Sequence, residues 1–154
     1  MIELKKIFVA TDFSEHSRTT LQYGAALAEA FDAEVVLCRV VARADILSQF
    51  PPSWEGYFPP NFAELQEQQV REESQRWMVD ASVSNGRVIT RSGSPFVEIV
   101  RLAREEQANL IVVGTHGRGA VAHMLLGSVA EKVVHKAPCP VLTVREREHQ
   151  FVMP

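Results

Sequence analysis

The sequence predicts an α/β fold built on a largely parallel β-sheet, and two observations carry that prediction. Strand-like apolar runs alternate along the 154 residues with segments whose apolar positions recur at helical spacing. The most apolar runs, Glu34–Val41 and Asn109–Gly114, are nearly continuous, which is typical of strands covered on both faces. We therefore expect helices on both faces of the sheet, right-handed connections, and a ligand site beyond the carboxyl ends of the strands.

Each element has its own local signature. The strands are predicted at Lys6–Thr11, Glu34–Val41, Arg87–Thr90, Asn109–Gly114 and Cys139–Arg145. The helices are predicted after Ser14, from about Glu64 to Ser82, after Ser94–Pro95, and from Ser128 to about Lys136. Ser14 and Ser94 are the expected N-caps, because their side-chain oxygens can accept a hydrogen bond from the first helical turn. The first helix carries an apolar face that ends at Phe31, and Trp77 on the second is expected in the core or in an interface.

The segment 42–63 interrupts this alternation. It contains Pro51–Pro52 and Pro59–Pro60 among aromatic residues, and paired prolines exclude a long helix there. So long a connection is unusual, and such loops are often lids or contact surfaces. Two roles stay open, a lid over the ligand site and a loop whose rings pack on the domain. With this loop and a tail at 146–154, residues 1–154 are expected to form a single domain.

Composition and charge exclude several classes of protein. The formal charge is −3 and the longest basic run is Lys5–Lys6, so neither nucleic acid nor an anionic membrane is the expected partner, although a local basic pocket is compatible with these totals. No stretch approaches the ~20 apolar residues of a membrane span, and we expect a cytoplasmic protein. Cys38 and Cys139 lie in predicted strands and are expected to be buried free thiols. No metal site is expected, because the histidines most open to that role lie on separate elements: His16, His116, His123 and His135.

The strongest chemical signal lies between Gly114 and Ser128. Gly114, Gly117 and Gly127 follow the spacing Gly-x2-Gly-x9-Gly-Ser directly after the most apolar strand. Glycines let backbone N–H groups approach an anion, and the helix that Ser128 opens adds free N–H groups and a partial positive charge. The same residues also allow a purely structural interpretation, because Ser128–Glu131 matches a Ser-x-x-Glu capping box.

Two better-known phosphate loops do not fit this segment. Gly114 and Gly119 have the separation of a P-loop, but Ala120 stands where that loop needs lysine. The segment Gly117–Ala122 matches the pattern Gly-x-Gly-x-x-Ala of dinucleotide-binding folds. However, Pro140–Leu142 stands where an acidic ribose-binding residue is required.

Motifs spread along the chain carry a more specific signal. They are Val9–Ser14, Gly93–Pro95, Ile111–Gly117, Leu125–Val133 and Ala137–Leu142. Together they resemble the nucleotide-binding branch of the universal stress protein family (UspA-like), along almost the whole chain. The sequence departs from the family at Ala10, where proline is frequent, and the aromatic loop is not part of the resemblance.

The resemblance implies a Rossmann-like sheet of the adenine nucleotide alpha hydrolase type, with five parallel strands in the order 3-2-1-4-5. It implies ATP or AMP as the ligand, with Mg2+, if present, held through the phosphates. Asp12 would contact the adenosine, Val40 would meet the adenine edge, and Ala10 and Thr11 would lie at the same end of the site. The ribose and phosphates would be surrounded, largely by backbone N–H groups, at Gly114, His116, Gly117, Gly127, Ser128, Val129 and Ala130.

The resemblance further implies a nucleotide-dependent regulator of stress responses that forms a homodimer through the last strand, Pro140–Val144. Two alternatives stay open: a slow ATPase or phosphoryl-transfer enzyme, and a dimeric interaction module without nucleotide. The missing P-loop lysine, and the absence of a second carboxylate near the loop, predict slow turnover or none. A receiver or flavin-binding domain fits less well, because Asp12 alone follows the first strand, with no glycine beside it.

Overall fold

The structure, a computed structural model, describes residues 1–47, 50, 51, 53, 60–115 and 126–145. Its strands are β1 (Lys6–Thr11), β2 (Glu34–Val41), β3 (Gly86–Ser92), β4 (Leu110–Gly114) and β5 (Val141–Val144). Its helices are α1 (Glu15–Phe31), α2 (Arg43–Leu47), α3 (Phe62–Asp80), α4 (Pro95–Glu105) and α5 (Ser128–Lys136). The predicted bounds of β1, β2 and α5 are confirmed, and those of the other predicted elements differ by at most two residues.

The sheet has the order β3-β2-β1-β4-β5, as predicted, and every neighbouring pair is parallel. β1 and β4 lie side by side in the centre, although the chain between them builds the whole of one half of the sheet. The direction of winding therefore reverses between these two strands. Such a switch point is where an open α/β sheet leaves a crevice at the carboxyl ends of its strands.

Helices cover both faces of the sheet. α1 and α3 pack on one face, where Val9, Leu21 and Trp77 belong to one buried cluster. α4 and α5 pack on the other, where Phe8 and Leu102 belong to a second cluster. β1 thus sends alternate residues into two cores, which is why its sequence is continuously apolar. The predicted burial of Trp77 is confirmed. In the described part of the chain, no helix combines the length and the apolarity of a membrane span.

α1 approaches the sheet most closely at Gly24. A Cβ atom at this position would lie 2.5 Å from Cγ2 of Val9, well inside van der Waals contact. Val9 is fully buried in the central strand, and its branched side chain has little freedom to move aside. Glycine at position 24 therefore sets the distance between α1 and β1.

The helix N-termini differ from the prediction in one respect. Ser14 and Ser94 do occupy the N-cap positions of α1 and α4, but neither side chain makes a capping hydrogen bond. The predicted capping box Ser128–Glu131 is wrong, because the N-cap of α5 is Gly127 and Ser128 is already helical. Gly127 has extended backbone angles (φ −67°, ψ 155°), so the helix begins one residue later than the box requires.

Three further expectations are corrected. Phe31, placed on the apolar face of α1, is 50% exposed at the end of that helix. Cys139 precedes β5 and is only partly buried, whereas Cys38 is buried as predicted.

The segment 42–63 contains the short helix α2, which its prolines had not indicated. The rings of Phe50 and Phe62 meet edge to face with centroids 5.6 Å apart; positions 48, 49, 52 and 54–59 of this loop lie outside the described residues.

The amino edge of the sheet, where its strands begin, carries a network of charged groups. Arg87 donates hydrogen bonds to Glu106 and, over 2.8 Å, to Glu34, and Lys6 Nζ lies 3.4 Å from the Glu106 carboxylate. The hydrogen bonds from Arg87 hold the pKa of Glu106 below its ordinary value. Asn109 Oδ1 accepts the backbone N–H of Lys6 over 2.9 Å, which joins the start of β1 to the start of β4. These contacts fix the register of the strands at the edge opposite the switch point.

Candidate functional site

The strands separate towards the carboxyl edge. The ladder between β1 and β4 runs from Ile7–Leu110 to Val9–Val112, and within the described residues no later pair joins the two strands. β2 also extends beyond β1, because β1 pairs with it only as far as Arg39 while Val40 and Val41 pair with β3 alone. Backbone groups alternate in direction along β2, and the Val41 carbonyl faces β3, where it accepts the Gly93 N–H. The Val40 carbonyl therefore faces the β1 side, beyond the last residue that β1 pairs.

Asp12 lies at the end of β1 and organises the turn into α1. Its Oδ1 accepts hydrogen bonds from the Ser14 N–H over 2.9 Å and from the buried Ser17 hydroxyl over 2.6 Å. Thr11 Oγ1 accepts the Phe13 N–H over 3.1 Å, and Phe13 adopts a left-handed conformation with φ 60°. A positive φ is costly for an aromatic residue, so the surrounding contacts must hold this turn in place.

Two aromatic rings in contact, with an arginine over each, supply those contacts. The centroid of the Phe13 ring lies 5.1 Å from that of Trp77 on α3. The guanidinium of Arg39, a residue of β2, lies 5.4 Å from the centroid of the Phe13 ring. Arg18 of α1 lies 4.6 Å from the Trp77 ring. Cations over aromatic faces attract the ring quadrupole, most strongly where water is excluded, and Arg39 is only 6% exposed. The stack thus joins the turn after β1 to β2, α1 and α3.

The sequence analysis missed this stack. One signal was available, since Arg39 is the single charged residue inside the otherwise apolar run of β2 after Glu34. A charged residue in a doubly covered strand is rarely buried without a specific partner. No spacing in the sequence indicated that its partner would be Phe13.

The end of β4 is tied to the start of α5. Thr115, almost fully buried, donates its N–H to the carbonyl of Val144 on β5 over 3.0 Å. Its own carbonyl accepts the Gly127 N–H over 2.6 Å. The two ends of the segment 116–126 are thereby held together. The Gly127 N–H, which the resemblance assigned to the ribose and phosphates, is engaged within the protein.

The first turn of α5 presents backbone donors that no described residue accepts. The earliest helical hydrogen bond runs from the Glu131 N–H to the Gly127 carbonyl over 2.9 Å. The N–H groups of Ser128, Val129 and Ala130 therefore have no helical acceptor, and no other described residue accepts them. Gly127 has no side chain that could cap them. This end of α5 carries the positive end of the helix dipole, which favours an anion.

The structure sorts the remaining predicted residues by what they can offer a ligand. The side chains of Ala10 and Val40 are buried in the core cluster beneath α4 and α5, so only their backbone groups reach the carboxyl edge. Gly114 ends β4 and is partly buried. His116 and Gly117 lie outside the described residues.

Two further properties of the described residues concern their metal-ligating side chains and their thiols. Among the residues that the structure describes, no group of three or more His, Cys, Asp or Glu side chains is placed to hold a metal ion. Burial raises the pKa of the Cys38 thiol to about 12, which keeps it protonated and unreactive. Partial burial also raises the pKa of Cys139 above its ordinary value.

Comparisons with known proteins agree with this architecture. Residues 3–145 match the sequence profile described as the Universal stress protein family. The universal stress protein MJ0531 of Methanocaldococcus jannaschii is 35% identical over 145 residues, which cover 92% of this chain and 82% of that protein. The universal stress protein YxiE of Bacillus subtilis is 31% identical over 146 residues, covering 91% of this chain and 98% of the relative.

Solved structures show the same fold. MJ0577 of Methanocaldococcus jannaschii superposes with a TM-score of 0.73 at 28% identity, covering 96% of this chain and all of the other. A universal stress protein crystallised in complex with cAMP superposes with a TM-score of 0.66 at 24% identity, covering 93% of this chain and 98% of that one, a similarity that supports the fold alone. The sequence profile, the relatives and the strand order lead to one conclusion: this chain belongs to the universal stress protein family.

Proposed function

We propose that this protein binds an adenine nucleotide, ATP or AMP, at the carboxyl edge between β1 and β4, and acts as a nucleotide-dependent regulator. The proposal rests on the N–H groups of Ser128, Val129 and Ala130, which open α5 beside the switch point and have no acceptor among the described residues. Backbone donors at a helix N-terminus form a site for phosphate. The cAMP complex of the structural relative shows that an adenine nucleotide can bind to a protein of this fold.

The adenosine end would lie over β1 and β2. The Val40 carbonyl faces the β1 side beyond the last paired residue, so it can accept a hydrogen bond from the edge of an adenine ring. Asp12 stands at the end of the neighbouring strand and is held by two hydrogen bonds to its Oδ1. Its carboxylate would accept a hydrogen bond from the nucleoside. Thr11 and Ala10 would contribute backbone atoms at the same end.

The phosphate end would lie over β4 and α5. Gly127 contributes space rather than a donor, because its N–H is bonded to Thr115 while the absent Cβ lets an anion approach the first turn. Gly114 would have the same role at the end of β4, and His116 and Gly117 are proposed as further contacts. Mg2+, where present, would be held through the phosphates rather than by a protein site.

Calorimetric titration with ATP, ADP and AMP in the presence of Mg2+ tests the proposal. We expect micromolar binding of at least one nucleotide and a loss of at least tenfold in affinity for Gly127→Val. The backbone angles of Gly127 are allowed for valine, so the added side chain acts through the space it fills. Ser94→Val is the matched control, since Ser94 is also an N-cap without a capping hydrogen bond. Absence of binding at millimolar nucleotide, or full affinity in Gly127→Val, contradicts the proposal.

Nucleotide turnover is expected to be slow or absent. Phosphoryl transfer needs charge neutralisation and a group that orients the nucleophile. At the end of β1 the described residues offer one carboxylate, Asp12, whose Oδ1 is already engaged by Ser14 and Ser17. Glu131 follows in the first turn of α5, where its negative charge adds nothing to charge neutralisation. Steady release of phosphate over many turnovers, abolished by Asp12→Ala, would favour the enzyme alternative.

The last strand is the proposed contact between two copies of the chain. β5 lies at the edge of the sheet and pairs with β4 alone, while Val141 and Leu142 on it are partly exposed. An unpaired edge strand readily pairs with a second strand. Light scattering is expected to show a dimer, and Leu142→Lys is expected to shift it towards monomer. A monomeric wild-type protein would refute this contact.

A further inference from the structure

A groove lies between α4 and α5 on the outer surface, and it shares one residue with the proposed nucleotide site, Ser128 at the start of α5. Two adjoining depressions form it, with volumes of about 400 Å³ and about 450 Å³. Both are lined by Phe96 and Lys136, so they are parts of one surface. α4 has 11 residues, which sets the groove length at roughly 16 Å. That length matches a short peptide segment.

The floor of the groove is apolar. Phe96 and Val97 in the first turn of α4, and Val100 one turn later, line the first depression. Val97 is 44% exposed, although most apolar side chains of this size are buried elsewhere in the chain. Exposed apolar surface that is contiguous and edged by polar groups is typical of binding sites.

The rim of the groove is basic. Arg104, Lys132 and Lys136 form no salt bridge to any residue that the structure describes, and Lys132 lies 5.1 Å from the ring of Phe96. Arg101, by contrast, is paired with glutamates of its own helix. The cations at the amino edge of the sheet are likewise paired. Three cations without a described salt-bridge partner therefore line this groove, in a chain whose formal charge is −3.

We propose that the α4–α5 groove binds an acidic, amphipathic peptide segment of a partner protein. Apolar side chains of the segment would fill the floor at Phe96 and Val97, and its carboxylates would face Arg104, Lys132 and Lys136. This is the arrangement by which an amphipathic helix lies in a hydrophobic groove, and complementary charge at the rim selects the partner. The proposal does not depend on nucleotide binding.

The same observations disfavour a nucleic acid or a membrane. Nucleic-acid affinity comes from many contacts between cations and phosphates. The unpaired cations at this rim flank an apolar floor, and apolar side chains make no favourable contact with phosphates. Glu105 and Glu131 also line the depressions and would repel a continuous polyanion. A segment with spaced carboxylates can place its charges away from both glutamates.

The test is a titration of isotope-labelled protein, followed by NMR, with a synthetic amphipathic helix of Glu and Leu as the probe. A second probe with Lys in place of every Glu is the charge control. We expect chemical-shift changes confined to α4 and α5 with the acidic probe only. Arg104→Glu/Lys136→Glu is expected to weaken binding at least about tenfold. Val97→Glu, at an exposed position, should weaken binding equally without loss of folding.

A charge-matched variant separates this site from general electrostatics. Arg71→Glu/Arg76→Glu makes the same change in charge on exposed positions of α3, on the other face of the sheet, and should leave binding unchanged. No shift in α4 and α5 at millimolar acidic probe overturns the proposal, as does equal binding of the basic probe. Stronger shifts of the same residues by an oligonucleotide or by anionic vesicles would also overturn it. Concentration-dependent shifts without any probe would assign the groove to a second copy of the chain.

Discussion

Asp12 has two roles in the proposed site, and a pair of substitutions can separate them. Its Oδ1 accepts hydrogen bonds from Ser14 and Ser17, which hold the turn after β1. Its carboxylate is also proposed to contact the adenosine. Asp12→Asn keeps an oxygen acceptor of the same shape but removes the charge. Asp12→Ala removes both.

The expected loss of stability follows from these contacts. In Asp12→Ala the Ser17 hydroxyl, on a residue only 6% exposed, loses its 2.6 Å partner but keeps Ser14 Oγ within 3.3 Å. The Ser14 N–H loses its acceptor as well, at a partly exposed residue that water can reach. A buried polar group left without a partner costs ~1–3 kcal/mol. Because Ser17 keeps Ser14 Oγ as a partner and water reaches the Ser14 N–H, the expected loss of unfolding free energy in Asp12→Ala is ~2 kcal/mol. For a chain of this size that corresponds to a fall in Tm of about 4–8 °C.

Thermal unfolding and calorimetric titration with ATP distinguish the two roles. We expect Asp12→Ala to lose both stability and nucleotide affinity. Asp12→Asn should lose less than ~1 kcal/mol of stability. Its nucleotide affinity should fall at least about tenfold, because a charge-assisted hydrogen bond is lost. Glu67→Gln, at an exposed position of α3, is the control for removal of one carboxylate and should change neither property. Wild-type affinity in Asp12→Asn would refute direct contact with the nucleotide. Wild-type stability in Asp12→Ala would refute the structural role of the turn.

Three further predictions follow from the core, the amino edge and the thiols. Gly24→Ala should lower the free energy of unfolding, measured in urea, by ~1–3 kcal/mol, because the new Cβ overlaps Val9 and this clash outweighs the gain in helix propensity. In a Val9→Ala background the same substitution should lower stability by less. Equal losses in the two backgrounds would refute the clash. Glu106 has a folded-state pKa below its ordinary value near 4.5, so its contribution to stability is present above that value and is lost as the pH falls through the lowered pKa. Glu106→Gln should therefore flatten the loss of stability between about pH 5 and pH 3, and an unchanged acid slope would contradict this. Cys38, with its pKa raised to about 12, should react with a thiol reagent at pH 8 only after the protein unfolds. The measurement uses the Cys139→Ala variant, so that Cys38 is the remaining thiol. Rapid labelling of the native variant would contradict the burial of Cys38.

The fold was predictable because local patterns and tertiary structure agree. β1, β2 and α5 have their predicted bounds, since each apolar run ends at a polar or breaking residue such as Asp12 or Pro138. The bounds of β3 were less predictable. It extends to Gly86 and Ser92 because the ladder with β2 continues from Val35 to Val41, and pairing with a neighbouring strand leaves no local signal.

The candidate site was predictable only in part. The motifs indicated Asp12 and the first turn of α5, because glycines and a helix start have a local signature. The role of Gly127 was not visible, since its hydrogen bond to Thr115 depends on how the chain closes in space. The contact of Phe13 with Arg39 and Trp77 joins residues of different elements, and no periodicity encodes such a contact.

The two edges of the sheet have opposite physical characters. At the amino edge, Lys6, Arg87 and Glu106 are paired, and the strands are joined in register. At the carboxyl edge, Phe13 has a positive φ and the first N–H groups of α5 have no described protein acceptor. Those features cost folding free energy, and local compromises of this kind concentrate where a protein binds its ligand. A nucleotide at this edge would supply acceptors for the α5 donors, so binding itself is expected to stabilise the fold where the chain alone leaves it weakest.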